Sequence, residues 1–552
     1  MLIDDLLGEQ QLLTPVAIFS RKHEHHTVPA QAKYYRDLIP LSLPAAGEQY
    51  AFAVDLDACT GCQACVTACH HLNGLDDDET WRNVGMLFGG TVLEPVQQTI
   101  TTACHHCLDP ACMNGCPVNA YHKDPVTGIV RHLDDQCIGC QYCIWKCPYD
   151  VPKYSKKRGI VRKCDMCSSR PAVGEAPACV QSCPNEAITI TLVDQQQIAA
   201  QRKKKDSFLA GSPDPEYTLP TTQYRTSKTL PGNMRPGDFF RNRPEHAHLP
   251  LVVMLVLTQL SVGAFCTAMI LRLFFPSSLF RELTPLHSLV ALLLGFLGFG
   301  ASALHLGRPL YAWRAFIGLK TSWLSREIIV FGLYAILALI YAGSFWLPTL
   351  SRFVNIPFWR ELSSSPLQDA FGIGVAVTGL AGVFCSMMIY GDTRRTFWRM
   401  TFTAPKFTGT TLLLGPATIL FTMTLQSVLA PRTAASPAFR QIVVLLCGFL
   451  VVATMAKLFW ELKVFAHLND RESTDMKRTV LLMSDVLRWA TRFRFVCGAL
   501  GGIMLPALVL FGLVPTVVAT GILPISLLGE LLERYLFFRA VIPPKMPGGI
   551  AS

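Results

Sequence analysis

From residue 250 onward the chain alternates long apolar runs with short polar connections, many of them basic. Crossing a bilayer takes about 20 consecutive apolar residues in a helix. The pattern predicts eight such helices, near 250–275, 286–306, 325–348, 368–391, 407–430, 438–465, 492–514 and 516–537. Buried helices of a large soluble protein do not easily supply eight runs of this length separated by basic loops. Residues 250–540 are therefore expected as an all-α membrane bundle of eight transmembrane helices, with both ends on one side. Residues 201–249 are rich in proline and polar groups and poor in periodic apolar positions, the pattern of an extended linker. The remaining expected boundaries are an N-terminal extension at 1–49, an α+β domain at 50–200 and a C-terminal tail at 541–552.

Composition supports a division into two regions. The 552 residues are 51% hydrophobic and 16% charged, too many for one core and too apolar for an ordinary soluble protein. The net charge of +10 does not argue for nucleic acid, because basic loops of a membrane protein reach the same total, and no nucleic-acid partner is expected. Loops 306–324, 391–406 and 468–490 carry 11 Lys and Arg, against 5 in the opposite loops 276–285, 349–367, 431–440 and 514–516. Positive residues stay on the cytoplasmic side. The expectation is a multi-pass protein of the cytoplasmic (inner) membrane with the 50–200 region facing the cytoplasm. The opening "MLIDDLLGEQQLLTPVAIFSRKHEHH" shows no basic start before an apolar core, no small-residue cleavage site and no twin arginine, so no export signal is expected.

Sixteen of the twenty cysteines lie between 59 and 183, in four sets of four: Cys59, Cys62, Cys65, Cys69; Cys104, Cys107, Cys112, Cys116; Cys137, Cys140, Cys143, Cys147; and Cys164, Cys167, Cys179, Cys183. The first and third follow C-x2-C-x2-C-x3-C, in which three thiolates bind one cubane and the fourth reaches another cluster. A disulfide scaffold suits small exported chains. Zinc uses pairs of C-x2-C, with no role for the third cysteine of the tight run or the proline after the fourth. Iron is the expected metal, as four [4Fe–4S] clusters, since no set has lost a ligand. A region of about 190 residues has a radius of gyration of roughly 16 Å, a span that a string of clusters crosses and one cluster does not. His70, His71, His105 and His106 beside these motifs are expected as surface or supporting groups.

Ionisable residues in membrane spans are costly and so mark candidate sites. His305, in "ASALHLGRPL", ends the second expected span, and Glu327, in "SWLSREIIVFG", begins the third. A histidine and a carboxylate suit a quinol site, where two protons accompany two electrons. The competing assignments are a helix-capping histidine and an ion pair of Glu327 with Arg326 or Arg308. Lys457 and Glu461 are spaced to pair along one helix. A haem is not expected: the spans offer His287 and His305 on one helix, 18 residues or about 27 Å apart, and His287 reads as structural.

The four cysteine sets in this order, with the longer loop inside the last, resemble the iron–sulfur subunit of membrane-bound molybdopterin oxidoreductases, particularly the dimethyl sulfoxide reductase type, over about residues 50–195. The resemblance implies two ferredoxin-like halves. It assigns Cys59, Cys62, Cys65 and Cys183 to one cluster, and Cys164, Cys167, Cys179 and Cys69 to its neighbour. The other half places Cys104, Cys107, Cys112 and Cys147 on one cluster, with Cys137, Cys140, Cys143 and Cys116 on the last. "HLGRPL", "SREI" and "GELLERYLFF" resemble the membrane-anchor subunit of the same family over about 250–540, whose quinol site uses a histidine and a glutamate in these motifs. The family usually makes the two subunits separately, and here they are fused. The implied function is electron transfer between the quinone pool (menaquinone or ubiquinone) and a separate molybdopterin catalytic subunit, dimethyl sulfoxide reductase-like, sulfite dehydrogenase-like or nitrate reductase-like. The alternative is a self-contained ion-translocating quinone oxidoreductase, which would want a chain of buried charges through the bilayer; the sequence shows few near mid-membrane.

Overall fold

The computed structural model describes residues 3, 5, 8, 35–40, 42–204, 207–275, 277–346, 365–429 and 437–548. Most of the expected 1–49 extension lies outside these residues. So do the ends of the third and fifth expected spans at 348 and 430, most of the 349–367 and 431–440 loops, and residues 549–552. The chain forms two compact units, Met1–Arg241 with Pro544–Ser552, and Asn242–Pro543.

The first unit is mixed α/β. Strand β1 (Glu48–Asp55) is buried from Tyr50 to Val54, as a strand covered on both faces should be. It pairs antiparallel with β8 (Ile188–Asp194), from Glu48 opposite Asp194 to Val54 opposite Ile188. A hairpin of β2 (Asn83–Gly90) and β3 (Pro95–Thr102) forms a second sheet. Two short ladders follow, β4 (Tyr121–Lys123) with β5 (Val130–His132) and β6 (Lys153–Ser155) with β7 (Ile160–Arg162). Between them lie four short helices: α1 (Ala64–Asn73), α2 (Ala111–Asn114), α3 (Tyr142–Lys146) and α4 (Ala178–Gln181).

The segment expected as a linker differs from that expectation, because residues up to 241 are docked on this unit. After helix α5 (Gln195–Arg202), β9 (Gln223–Arg225) adds in parallel to β1, and β10 (Arg235–Pro236) adds to β2. Asn233 bonds both the N–H and the carbonyl of Gly90. Sheet edges expose backbone groups that must be satisfied. A segment without apolar periodicity meets that need through its own backbone, a pairing that periodicity does not reveal. The C-terminal tail also returns to this unit, where Met86 N–H donates to the Gly548 carbonyl at 3.3 Å.

Among the described residues, the second unit has eight helices long and apolar enough to cross a membrane: Leu249–Phe274, Glu282–Ala303, Trp323–Ser344, Pro366–Gly391, Met400–Val428, Pro437–Asn469, Arg488–Leu510 and Thr516–Arg539. They alternate in direction, so the starts of odd spans and the ends of even spans share one end of the bundle. The first and fifth are the most buried. Leu297, Leu339, Val377 and Val452 face outward from other spans, as lipid-facing side chains do. The two central spans cross through glycines. A Cβ on Gly263 would collide with the Thr411 carbonyl oxygen and stand 3.1 Å from the Gly415 Cα. Small residues permit such close backbone approach in membranes.

Gly263→Ala is expected to force these two spans apart and lower stability by about 1–3 kcal/mol. Thermal or dodecyl-sulfate unfolding of the detergent-solubilised protein tests this, and an unchanged transition would refute the close-packing account.

Candidate functional site

The cysteine motifs fold as two recurring turns. In "CTGCQAC" and "CIGCQYC" the same two positions adopt positive φ: Gly61 (77°) and Gln63 (63°), then Gly139 (70°) and Gln141 (60°). These left-handed residues curl the loop so that successive thiols point inward. The Gly139 N–H donates to Cys137 Sγ at 3.4 Å, and Met166 N–H does the same for Cys164. The second turn follows three of the fourth cysteines. Cys116, Cys147 and Cys183 each precede a proline, which cannot continue the short helix before it. The third residue on then takes a positive φ (Asn119 51°, Asp150 56°, Glu186 52°). Ala120 N–H donates to Cys116 Sγ at 3.2 Å and Ala187 N–H to Cys183 Sγ at 3.3 Å. Cys69 lacks the proline and stays inside α1, and the Asn73 side chain takes the donor's place at 3.6 Å.

The structure gathers the sixteen thiols across these sets. One cavity is lined by Cys104, Cys107, Cys112 and Cys147, a second by Cys59, Cys62, Cys65 and Cys183, and a third by Cys116, Cys137, Cys140 and Cys143. The other four, Cys69, Cys164, Cys167 and Cys179, are mutual electrostatic neighbours. This is the grouping that the resemblance implied. Among the described residues no three His, Cys, Asp or Glu side chains converge on a single-ion site. Three of the groups line cavities instead, and four gathered thiols are a donor set suited to a polynuclear iron–sulfur cluster.

Two buried cations stand between neighbouring groups, and neither carries a signal in its local sequence. Arg82 lies among Cys65, Cys179, Cys164 and Cys69 and donates to Thr101 Oγ1 at 3.2 Å. Lys163 Nζ reaches Cys104 Sγ at 3.5 Å and the Cys164 carbonyl at 2.8 Å. Tyr121 neighbours Cys112, Cys116 and Cys143. The groups therefore follow one another in space in the order of their Cys59, Cys69, Cys104 and Cys137 members. His105 and His106 are buried: Nδ1 of His105 meets Thr222 Oγ1 at 2.9 Å, and Nδ1 of His106 accepts from Val130 N–H at 3.0 Å. Burial above all, then Arg202 and Arg82, pushes the His105 imidazole down to about 3. Both histidines are supporting groups, while His71 is exposed.

In the membrane unit Glu327 is 4% exposed, and its Oε1 accepts a hydrogen bond from Ser386 on the fourth span. It is not paired with its neighbour Arg326, which donates to the carbonyls of Leu319 and Lys320. His305 lies just beyond the second span, 5.2 Å edge-on from the ring of His248. His248 is 5.7 Å from Phe538, and Phe538 is 5.6 Å from Tyr390. Tyr390 is within electrostatic range of Glu327. His305 and Glu327 thus sit at one end of the bundle, joined by an aromatic series that includes His248, Phe538 and Tyr390. Burial, then His305, His246 and Arg395, pushes the His248 imidazole down to about 3, so it is neutral at physiological pH. His248 fell in the expected linker, and Ser386 and Tyr390 lie in an apolar run with nothing to set them apart. His287 is held elsewhere, by Thr422 Oγ1 at 3.0 Å and the Ala264 carbonyl at 3.1 Å.

Lys457 and Glu461 do pair, at 3.9 Å, but within a larger buried network. Arg494 binds Glu461 through two hydrogen bonds (2.8 and 3.1 Å) and reaches Glu530 at 3.0 Å. Lys457 also pairs with Glu530, Lys406 with Glu533 at 3.3 Å, and Arg534 with Glu533 at 3.5 Å.

Comparison with known proteins agrees with these two units. Residues 96–193 match a 4Fe-4S dicluster domain, and residues 245–539, more than half of the chain, match the DMSO reductase anchor subunit (DmsC) family. The chain is 37% identical over 182 residues to the B subunit of anaerobic dimethyl sulfoxide reductase from Escherichia coli (strain K12), covering 31% of this chain and 86% of that subunit. It is 34% identical over 190 residues to the corresponding Haemophilus influenzae subunit, covering 33% and 91%. It is also 34% identical over 201 residues to the hydrogenase-2 operon protein HybA of Escherichia coli O157:H7, covering 32% and 60%. The chain is a multi-pass membrane protein that belongs to the DMSO reductase anchor subunit family and carries, fused ahead of the anchor, an iron–sulfur electron-transfer region similar to the B subunit of dimethyl sulfoxide reductase.

Proposed function

We propose that this chain carries electrons between a quinone, bound at His305 and Glu327, and a separate molybdopterin catalytic subunit, through four [4Fe–4S] clusters held by the sixteen cysteines. The observation that carries this reading is the succession of four thiol groups of four, each beside the next. Such clusters supply one-electron transfer over a wide range of potentials. The backbone N–H groups aimed at Cys116, Cys137, Cys164 and Cys183 favour the thiolate form, as hydrogen bonds to a charged group do. Arg82 and Lys163 place fixed positive charge between neighbouring groups, which favours the reduced state of each.

At the membrane end, quinol oxidation releases two protons with its two electrons. Glu327, in an apolar setting with Ser386 as donor, is placed to take a proton from one ring hydroxyl. His305, with the neutral His248 against it, is placed to hold the other. No haem enters this path. The excess of Lys and Arg in the loops at the His305 end supports a cytoplasmic-membrane location with that end facing the cytoplasm. The catalytic partner is proposed from the relatives, several of which are named as components of dimethyl sulfoxide reductase.

Two outcomes test this reading. In the purified complex His305→Ala and Glu327→Gln should each slow quinol-driven cluster reduction by about 10²-fold or more, while dithionite still reduces the clusters; wild-type rates would contradict the quinone assignment. Arg82→Gln should lower the midpoint potentials of the Cys59 and Cys69 clusters by about 60 mV, a tenfold change in a one-electron equilibrium. EPR-monitored titration reads this, and unmoved potentials would show that Arg82 does not tune them.

A further inference from the structure

The connection between the second and third spans is folded with its small residues inward and its large apolar residues outward. It contains a 3-10 helix, Pro309–Phe316, and from 304 to 320 only Ala315 and Gly318 are buried. Leu310 is 89% exposed, Trp313 63% and Phe316 55%, and Tyr311, Ile317 and Leu319 are exposed with them. The connection between the fourth and fifth spans, at the same end of the bundle, does the opposite: Phe397 and Trp398 are both buried there. Outward aromatic side chains are therefore a property of this one segment, and an apolar patch of this size marks a surface that meets a protein or a membrane.

Two observations favour the membrane. The first is continuity with the lipid-facing surface. Both ends of the segment are ends of membrane spans, Ala303 and Trp323. Leu293 and Leu297 face outward on the second span, Leu304 continues that exposure into the connection, and Leu333 and Ile336 resume it on the third span. The second is charge. Residues 304–326 contain Arg308, Arg314, Lys320 and Arg326 and no acidic residue. The Arg314 guanidinium packs 4.5 Å from the Tyr311 ring centre and 5.6 Å from that of Trp313, and the Arg326 guanidinium 4.3 Å from that of Trp323. Tryptophan and tyrosine gather at the membrane–water boundary. Long cationic side chains there lay their stems along apolar surface and hold their charge among headgroups, where anionic lipids attract it.

We propose that residues 309–319 dock into the lipid leaflet at the His305 end of the bundle, with Leu310, Trp313 and Phe316 among the upper acyl chains and Arg308, Arg314 and Lys320 at the phosphates of anionic phospholipids. The segment then acts as an interfacial anchor that fixes the depth of the second and third spans. Leu304 and Ile328, the sequence neighbours of His305 and Glu327, also face outward. The same lipid therefore borders the two residues assigned to the quinone, although the docking itself does not depend on that assignment.

The test uses the full chain with its clusters, reconstituted in vesicles of phosphatidylcholine and phosphatidylglycerol. The chain has nine tryptophans, so Trp313 is read as the difference in fluorescence between wild type and Trp313→Phe. Phospholipid brominated near the top of its acyl chains should abolish that difference, and aqueous acrylamide should leave it intact. Brominated phosphatidylglycerol, as a minor component, should quench it more than the same amount of brominated phosphatidylcholine. Quenching by acrylamide in place of the lipid would overturn the proposal, as would shielding from both quenchers by the bound catalytic partner, which would make the segment a protein-docking surface. Equal quenching by the two lipids would overturn its anionic part. Should Trp313→Phe fail to assemble, the wild-type chain is irradiated in vesicles that carry a diazirine phospholipid and is mapped by mass spectrometry. Adducts within 309–319 support the docking, and adducts confined to the spans overturn it.

Discussion

The first unit depends on one constraint: each group of four thiols must be assembled from two places in the chain. A run such as Cys137 to Cys147 gives only three of its thiols to its own group, and the fourth goes to the neighbour. Folding one site therefore brings in the segment that completes the next. The Cys183 turn closes the group begun at Cys59, and α1 carries Cys69 to the group of Cys164. The β1–β8 pairing, which spans Glu48 to Asp194, holds the beginning and end of this arrangement in register. The docked β9 and β10 segment then covers the edges left over, with Thr221 and Thr222 bonding the His105 carbonyl and ring.

In the membrane half the governing cost is the burial of charge. An unpaired ion inside a bundle is expensive, and here nearly every charge is met by another from a different span. Arg494 bridges Glu461 and Glu530, and Arg534 reaches Gln259 and Thr410 as well as Glu533. The same economy makes the exception informative: Glu327 is buried with a hydroxyl partner in place of a cation.

Much of this was legible in the sequence because the signals are local. Span lengths follow from bilayer thickness, and cysteine spacing follows from the size of a cluster, so both register within about 25 residues. His305 and Glu327 stood out as ionisable groups at the ends of apolar runs. What stayed hidden depends on contacts between distant segments. Glu461 and Arg494 are 33 residues apart, and Thr410 and Glu530 are 120, so no window shows their pairing. Arg82 and Lys163 carry no local signal, because only the fold sets them between thiol groups. His248 and residues 223–236 looked like linker because their partners are a ring and two sheet edges rather than a periodic apolar face.

The central claim is that this one chain joins a quinone site to four clusters. The most direct test is to purify the intact complex, measure iron and acid-labile sulfide per chain, and follow the clusters by EPR after adding a quinol analogue. The account predicts about sixteen irons per chain and rapid appearance of reduced-cluster signals. Half that iron content, zinc in its place, or clusters that only dithionite reduces would contradict it.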